Sequence, residues 1–109
     1  MPTTTPHAAI RAFLVRERAA PVALLAGLVR TPSDNPPGDC ALHAARTAEA
    51  LEALGFTVER HPVPQALTRA HGMIAATNLV VRRRFGDGPV VALNAHGDVV
   101  PPGDGWVHP

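Results

Sequence analysis

The residues with the clearest chemical potential in this chain are His96 and Asp98, which follow directly on an apolar run at Pro89–Ala95. That run is typical of a central strand in an α/β sheet, and such folds place functional groups where strands end. Side chains of extended backbone alternate with period two, so the imidazole and the carboxylate point to the same side. One ring nitrogen can then bind a metal while the carboxylate holds the other ring N–H. The spacing therefore predicts a metal ligand, His96, oriented by Asp98.

Helical signals dominate the part of the chain that precedes this motif. An amphipathic helix is expected from about Pro6, and Pro21 suits the first turn of a second helix. Asp39 is the expected N-cap of a third helix, and Gly55 is expected to end it as the C′ residue. The predicted inward face of this third helix consists of small and branched apolar residues. They are Ala41, Ala44, Ala48, Leu51 and Leu54.

Strand signals follow the third helix. Phe56–Arg60 alternates apolar and polar residues, and Gln65–Ala70 fits one short helical turn. Asn78–Phe85 is predicted to be a second strand, joined to Pro89–Ala95 as a hairpin by the tight connection Gly86–Gly88. Alternating helices and strands predict an α/β domain, with a mixed sheet flanked by helices.

Length and composition limit the classes of protein to consider. A chain of 109 residues accommodates one small domain, with residues 1–6 as a flexible tail. A net charge of +1 argues against partners such as nucleic acid or acidic membranes. The apolar run at Ala19–Val29 is too short to span a bilayer and is not followed by a cleavage site, so a cytoplasmic protein is expected. The single cysteine, Cys40, is interpreted as a small packing residue.

Other polar residues have simpler interpretations. Arg82–Arg84 is interpreted as a solvated strand edge rather than a nucleic-acid patch, because no aromatic residues are interleaved for stacking. Asp34 and Asn35 could face a cleft, although an Asx-type turn also explains them. Trp106 is expected to pack down the loop that follows Asp98. Outside the motif, the histidines are interpreted as surface or loop residues, and among them His108 lies nearest to His96 along the chain. They are His7, His43, His61, His71 and His108.

Four segments, in order, resemble one known family. Leu28–Gly38 (LVRTPSDNPPG) is similar to its early L-V-x-I-P-S-x-N-P-P-G loop, and Glu52–Glu59 to its L-G-F-x-V-E turn. Asn78-Leu79 matches the N-L that opens its next strand. His96–Pro101 matches its first metal motif, which Trp106 follows. The chain thus resembles, over residues 20–109, the zinc-dependent aminoacylase and carboxypeptidase family, which includes acetylornithine deacetylase, succinyl-diaminopimelate desuccinylase and glutamate carboxypeptidase.

The resemblance implies roles for two residues of this chain. His96 would bind one of two zinc ions, with Co²⁺ or Mn²⁺ as alternatives, and Asp98 would be the active-site residue that orients the imidazole. The other ligands and the general base of the family come later in its sequences, as does a lid domain that often forms a dimer. The resemblance therefore implies that residues 1–109 are the N-terminal part of a metallohydrolase catalytic domain with a zinc-peptidase-like fold.

The function implied is metal-dependent hydrolysis of amide bonds in N-acyl amino acids or small peptides. The residues of this chain alone are expected to be inactive, because the bridging carboxylate and the base are not among them. The alternative is a non-catalytic α/β module, in which His96 and Asp98 form an internal hydrogen bond and no metal is involved.

Overall fold

A computed structural model describes residues 5–107 of the chain. They separate into two compact units, the first ending at Arg30 and the second beginning at Thr31. The first unit consists of two helices, α1 (Pro6–Arg16) and α2 (Ala19–Val29). Thr5 caps α1, because its hydroxyl accepts a hydrogen bond from the backbone N–H of Ala8 at 3.3 Å. Thr5 and Pro6 thus form the ordered start of a helix, which corrects the prediction of a tail through residue 6. Residues 1–4 of that tail lie outside the described residues.

Both helices of the first unit were expected from the sequence, and Pro21 lies in the first turn of α2 as predicted. Neither helix buries a residue. The apolar side chains of α1 remain more than half exposed, although the guanidinium of Arg16 lies over the ring of Phe13, 5.4 Å from its centre.

The second unit is built around a helix, α3 (Ala41–Ala53), packed against a two-stranded sheet. Strand β1 (Val58–Pro62) is antiparallel to β2 (Thr77–Val81), with Val58 opposite Val81. The short helix α4 (Gln65–Ala70), which the sequence predicted, lies between the two strands in the chain. The combination of helices with a sheet is the coarse α/β architecture expected, but the sheet is antiparallel rather than mixed.

Helix α3 shows why small residues lie on one of its faces. Ala44 and Ala48 are buried, and Ala48 has no exposed surface. Leu51 is half-buried, whereas Ala41 and Leu54 are exposed, which corrects the predicted inward face at both ends. Gly55 follows the helix with φ +88°, the left-handed conformation expected of a C′ glycine.

The start of α3 differs from the prediction. Cys40, not Asp39, is the N-cap residue, and no side chain caps the helix. Asp39 instead forms a parallel bridge with Ala75, and the N–H of Cys40 donates to the carbonyl of Ala75 at 3.0 Å. Backbone pairing with a distant segment therefore replaces the local cap.

The predicted hairpin between Asn78–Phe85 and Pro89–Ala95 is wrong. The second strand ends at Val81 and pairs with β1, and residues 89–95 form neither strand nor helix. Their apolar side chains are exposed, with Leu93 at 94%. An apolar strand is stabilised by neighbours that pair with it and cover it, and residues 5–107 provide none for this segment.

Candidate functional site

The structure brings His96 and Asp98 together. The Nδ1 atom of His96 lies 3.1 Å from Oδ1 of Asp98 and 2.9 Å from the backbone carbonyl oxygen of the same residue. Both partners are acceptors, so the hydrogen-bond network assigns the ring proton to Nδ1. The side chain of His96 is 83% exposed, so Nε2 is accessible. In a neutral ring with its proton on Nδ1, Nε2 carries the lone pair that can bind a metal.

The loop at residues 31–38 holds this motif in place. The backbone N–H of Asn35 donates to the carbonyl of Val99 at 2.7 Å, and the N–H of Val99 donates to the carbonyl of Ser33 at 3.1 Å. The buried hydroxyl of Ser33 also donates to the carbonyl of Gly97 at 2.7 Å. A pair of chemically active side chains is thereby fixed to a segment more than sixty residues away in sequence.

Asn35 reaches the carboxylate itself. Its side-chain Nδ2 donates to Oδ2 of Asp98 at 3.1 Å, on the carboxylate oxygen that His96 does not use. The hydrogen bonds from Asn35 and His96 lower the pKa of Asp98, so the carboxylate stays ionised at neutral pH. The sequence left open whether Asn35 faces a cleft or forms an Asx-type turn, and the structure shows that its side chain bonds to Asp98.

Cys40 lies beneath the same loop. It is buried, and its Sγ lies 3.8 Å from the carbonyl oxygen of Ser33, within reach of a weak S–H hydrogen bond. Burial, with smaller contributions from nearby carboxylates such as Asp98, raises the pKa of its thiol. A protonated, buried thiol is a packing residue and not a nucleophile, as the sequence suggested.

His43, interpreted from the sequence as a surface or loop histidine, is instead a half-buried residue of α3 beside the motif. A Cβ atom added at Gly97 would come within 3.1 Å of both Cε1 and Nδ1 of its ring. The helix therefore approaches the motif closely where the residue after His96 has no side chain. Helical periodicity alone could not reveal this contact, because it depends on how the distant loop folds over α3.

The remaining histidines have local partners. His61 contacts the carboxylate of Glu59 at 3.3 Å, and Nδ1 of His71 lies 3.0 Å from the carbonyl of Leu67. Both are exposed, as is His7, whereas His108 lies outside the described residues. Among residues 5–107, no three His, Cys, Asp or Glu side chains form a group that could hold a metal ion. His96 and Asp98 are therefore part of a site at most.

The arginine run and the tryptophan both have intramolecular partners. Arg82 pairs with Glu59 at 2.6 Å, Arg83 lies 6.0 Å from the ring centre of Phe56, and Arg84 pairs with Asp87. Trp106 donates its indole N–H to the carbonyl of Pro102 at 2.8 Å, yet the residue is 73% exposed. It closes the loop through this hydrogen bond and not, as expected, by packing its ring.

No helix within residues 5–107 combines the length and the apolar character needed to cross a membrane.

The chain is similar to several curated proteins that share one name. The chain is 42% identical over 91 residues to the succinyl-diaminopimelate desuccinylase of Rhodospirillum rubrum, a match that covers 84% of this chain and 21% of that protein. It is 44% identical over 91 residues to the enzyme of the same name from Methylobacterium sp. (strain 4-46), covering 82% and 21%. The Rhizorhabdus wittichii protein of that name is 42% identical over 86 residues, covering 79% and 21%.

The chain thus spans about a fifth of the length of the curated relatives it matches. No family model matches it, and no solved structure matches it significantly. The resemblance predicted from the four sequence segments is nevertheless confirmed, since the chain is similar to succinyl-diaminopimelate desuccinylases over about four-fifths of its own length.

Proposed function

We propose that this chain is part of a metal-dependent hydrolase that cleaves amide bonds in N-acyl amino acids or small peptides. The observation that carries the proposal is the state of His96, whose Nδ1 is engaged by Asp98 while the ring is otherwise exposed. The names of the relatives support the reaction class, since a desuccinylase removes a succinyl group held by an amide bond. The zinc-peptidase-like fold belongs to the same proposal.

The donor atoms present fit one ligand of a metal site. A neutral imidazole with a carboxylate on its second nitrogen is the usual arrangement around zinc. A single imidazole does not select among Zn²⁺, Co²⁺ and Mn²⁺, so zinc is proposed from the family resemblance. Because residues 5–107 contain no larger group of ligands, the proposal requires that further ligands and the general base come from outside them.

Each of the two residues has a defined task in the proposed reaction. Asp98 accepts the Nδ1 proton of His96 in a hydrogen bond, which fixes the tautomer, sets the plane of the ring and makes Nε2 more basic. When bound, the metal supplies Lewis-acid polarisation of the scissile carbonyl and activation of water. The carboxylate performs its task in the ionised form, which its lowered pKa favours.

The relatives narrow the proposed substrate. Their names specify a succinylated diamino acid, so an N-succinyl amino acid is the first N-acyl substrate to test. The proposal does not specify the side chain of the amino acid that carries the succinyl group.

The metal-binding part of the proposal is tested by titrating the chain with Zn²⁺ and following its imidazole resonances by NMR. We expect the His96 ring signals to shift first, and in His96→Ala we expect the other imidazole signals to stay unshifted at the same Zn²⁺ concentration. His71→Ala is the matched control, because it removes an exposed imidazole whose Nδ1 faces the backbone carbonyl of Leu67. If Zn²⁺ leaves the His96 signals unchanged, the alternative of a non-catalytic module is favoured.

The hydrolase part is tested in a chimera. The matching segment of the Rhodospirillum rubrum relative is replaced by the aligned residues of this chain, and N-succinyl amino acid hydrolysis is measured with and without His96→Ala. Activity that depends on His96 supports the proposal, and an active chimera that is indifferent to His96→Ala contradicts it. The 109-residue chain alone is expected to show no hydrolysis above its own His96→Ala variant.

A further inference from the structure

We infer that Asn35 is a positioning residue for the candidate site, setting the Asp98 carboxylate so that Asp98 in turn sets the imidazole of His96. The inference rests on the proposed function and adds a residue to it. The two oxygens of the carboxylate have different partners, because Oδ1 faces His96 and Oδ2 accepts from Asn35. Rotating the carboxylate away from His96 would therefore also break its bond to Asn35.

The amide of Asn35 lies between the main chain at Gly38 and the carboxylate of Asp98. Its Oδ1 lies so close to Gly38 that a Cβ there would be only 3.0 Å away, and its Nδ2 points to Asp98. The backbone N–H of Asn35 donates to the carbonyl of Val99. Main chain and side chain of one residue thus hold the two residues that follow Gly97.

The identity of the side chain matters because the atom facing Asp98 must be a donor. An amide N–H can approach a carboxylate, whereas a carboxylate in its place would repel it. Asparagine fits the local turn as well, so the structural alternative is that Asn35 serves only to join the loop to the motif. Ser33 makes a comparable link to the carbonyl of Gly97 without touching the carboxylate. The variant Ser33→Ala therefore distinguishes a role in joining the loop from a role in positioning the carboxylate.

The experiment measures the tautomer of the His96 ring in the metal-free chain from its ¹⁵N shifts, at a pH high enough for the ring to be neutral. We expect Asn35→Ala to lower the population protonated on Nδ1 about twofold, since the backbone carbonyl of Asp98 still accepts from Nδ1. Ser33→Ala should leave that population unchanged. Asn78→Ala is the matched control, because Asn78 is an exposed asparagine on β2.

Zn²⁺ affinity, read from the same ring signals, provides the second readout. Asn35→Ala should weaken it at least about twofold, because the tautomer that binds metal through Nε2 is then about half as populated. An unchanged tautomer in Asn35→Ala, or an equal loss in Ser33→Ala, would overturn the inference. The tautomer is measured without metal, so it decides this question even if Zn²⁺ does not bind and the proposed function fails.

Should Asn35→Ala disrupt the fold, seen as loss of the amide signals of α3 and the sheet, Asn35→Asp decides instead. It keeps the size of the side chain but turns a carboxylate toward Asp98, and Asn78→Asp adds the same charge at an exposed site. A drop in the Nδ1-protonated population in Asn35→Asp alone supports the inference. No drop in either variant contradicts it.

Discussion

The two sides of His96 differ sharply in how they are held. On the carboxyl side, Gly97–Val99 is joined to the loop at residues 33–35 by two backbone and two side-chain hydrogen bonds. On the amino side, Pro89–Ala95 has the most apolar sequence of the region and yet is exposed, with Val90 at 96%. The polar segment is the fixed one, and the apolar segment is not.

This difference shows what positions the candidate site. A strand that ends at a functional residue is the usual support in α/β folds, and the sequence predicted one here. In the structure, the support comes from a loop more than sixty residues earlier in the chain. The geometry of His96 and Asp98 should therefore depend on residues 33–38 far more than on residues 89–95.

The largest expected effect comes from breaking the loop at Gly38. Its φ is +77°, and a Cβ would lie 3.0 Å from both Oδ1 of Asn35 and Cγ of Met73. The left-handed conformation and the crowding together should cost Gly38→Ala about 2–4 kcal/mol of unfolding free energy. Urea unfolding measures this cost, and the ring signals of His96 report the loss of the motif.

Gly72→Ala is the matched control for Gly38→Ala. Gly72 has φ +71°, but nothing lies within 4 Å of its missing Cβ. The substitution should cost only the conformational part, about 1–2 kcal/mol, and leave the His96 signals in place. Equal effects of the two variants would mean that the loop contacts of Gly38 do not support the motif.

The next effect concerns Cys40, which lies under the same loop. Burial raises its thiol pKa, so the thiolate is scarce and covered. Alkylation by iodoacetamide at about pH 8 should be at least about 10-fold slower than in the urea-unfolded chain. Its rate should also continue to rise at pH values above the pKa of a free thiol, where the alkylation rate of the unfolded chain levels off. Because the thiol pKa is higher in the folded than in the unfolded chain, its contribution to the free energy of unfolding is fully present at neutral pH. That contribution is lost as alkaline pH ionises the thiol.

Rapid alkylation of native Cys40 under those conditions would show that the loop opens readily. Gly38→Ala should increase the rate, because it loosens the segment that covers the thiol, while Gly72→Ala should not.

A smaller effect is expected at Gly97, on the motif itself. Its added Cβ would meet the ring of His43 at 3.1 Å, and that ring can shift by a few tenths of an ångström. Gly97→Ala should therefore cost about 1 kcal/mol, at the low end for overpacking. Gly86→Ala, in open space, is the control, and urea unfolding compares them. A cost for Gly97→Ala no larger than that of Gly86→Ala would place His43 away from the motif.

Local signals explain what could be predicted from the sequence. The periodicity of α3, the stop at Gly55 and the short helix after Pro64 are encoded within a few residues of each other, and all three appear in the structure. The spacing of His96 and Asp98 likewise placed two side chains together. In each case the interacting residues are neighbours in sequence.

The failures involve partners distant in sequence. The apolar pattern of Pro89–Ala95 suits a buried strand but does not indicate which segment pairs with it. The predicted hairpin paired it with Asn78–Phe85, whereas the strand in that region, β2, pairs with β1. The bond from Asn35 to Asp98 joins residues whose proximity depends on the backbone pairing of Asp34 with Val99. The replacement of the Asp39 cap by a bridge to Ala75 has the same origin.

The smallest effect is expected in residues 89–95, on the amino side of His96. It tests directly whether this segment supports the motif. Val90→Thr keeps the shape of the side chain and adds a hydroxyl at an exposed position, so it should change the unfolding free energy by less than about 0.5 kcal/mol. Val58→Thr places the same hydroxyl in the core beside α3, where a buried unpaired group should cost about 1–3 kcal/mol. Sedimentation should also show less self-association for Val90→Thr, because exposed apolar segments promote it. If Val90→Thr instead destabilises the chain as much as Val58→Thr, residues 89–95 are buried in solution, and the strand predicted from the sequence supports His96 after all.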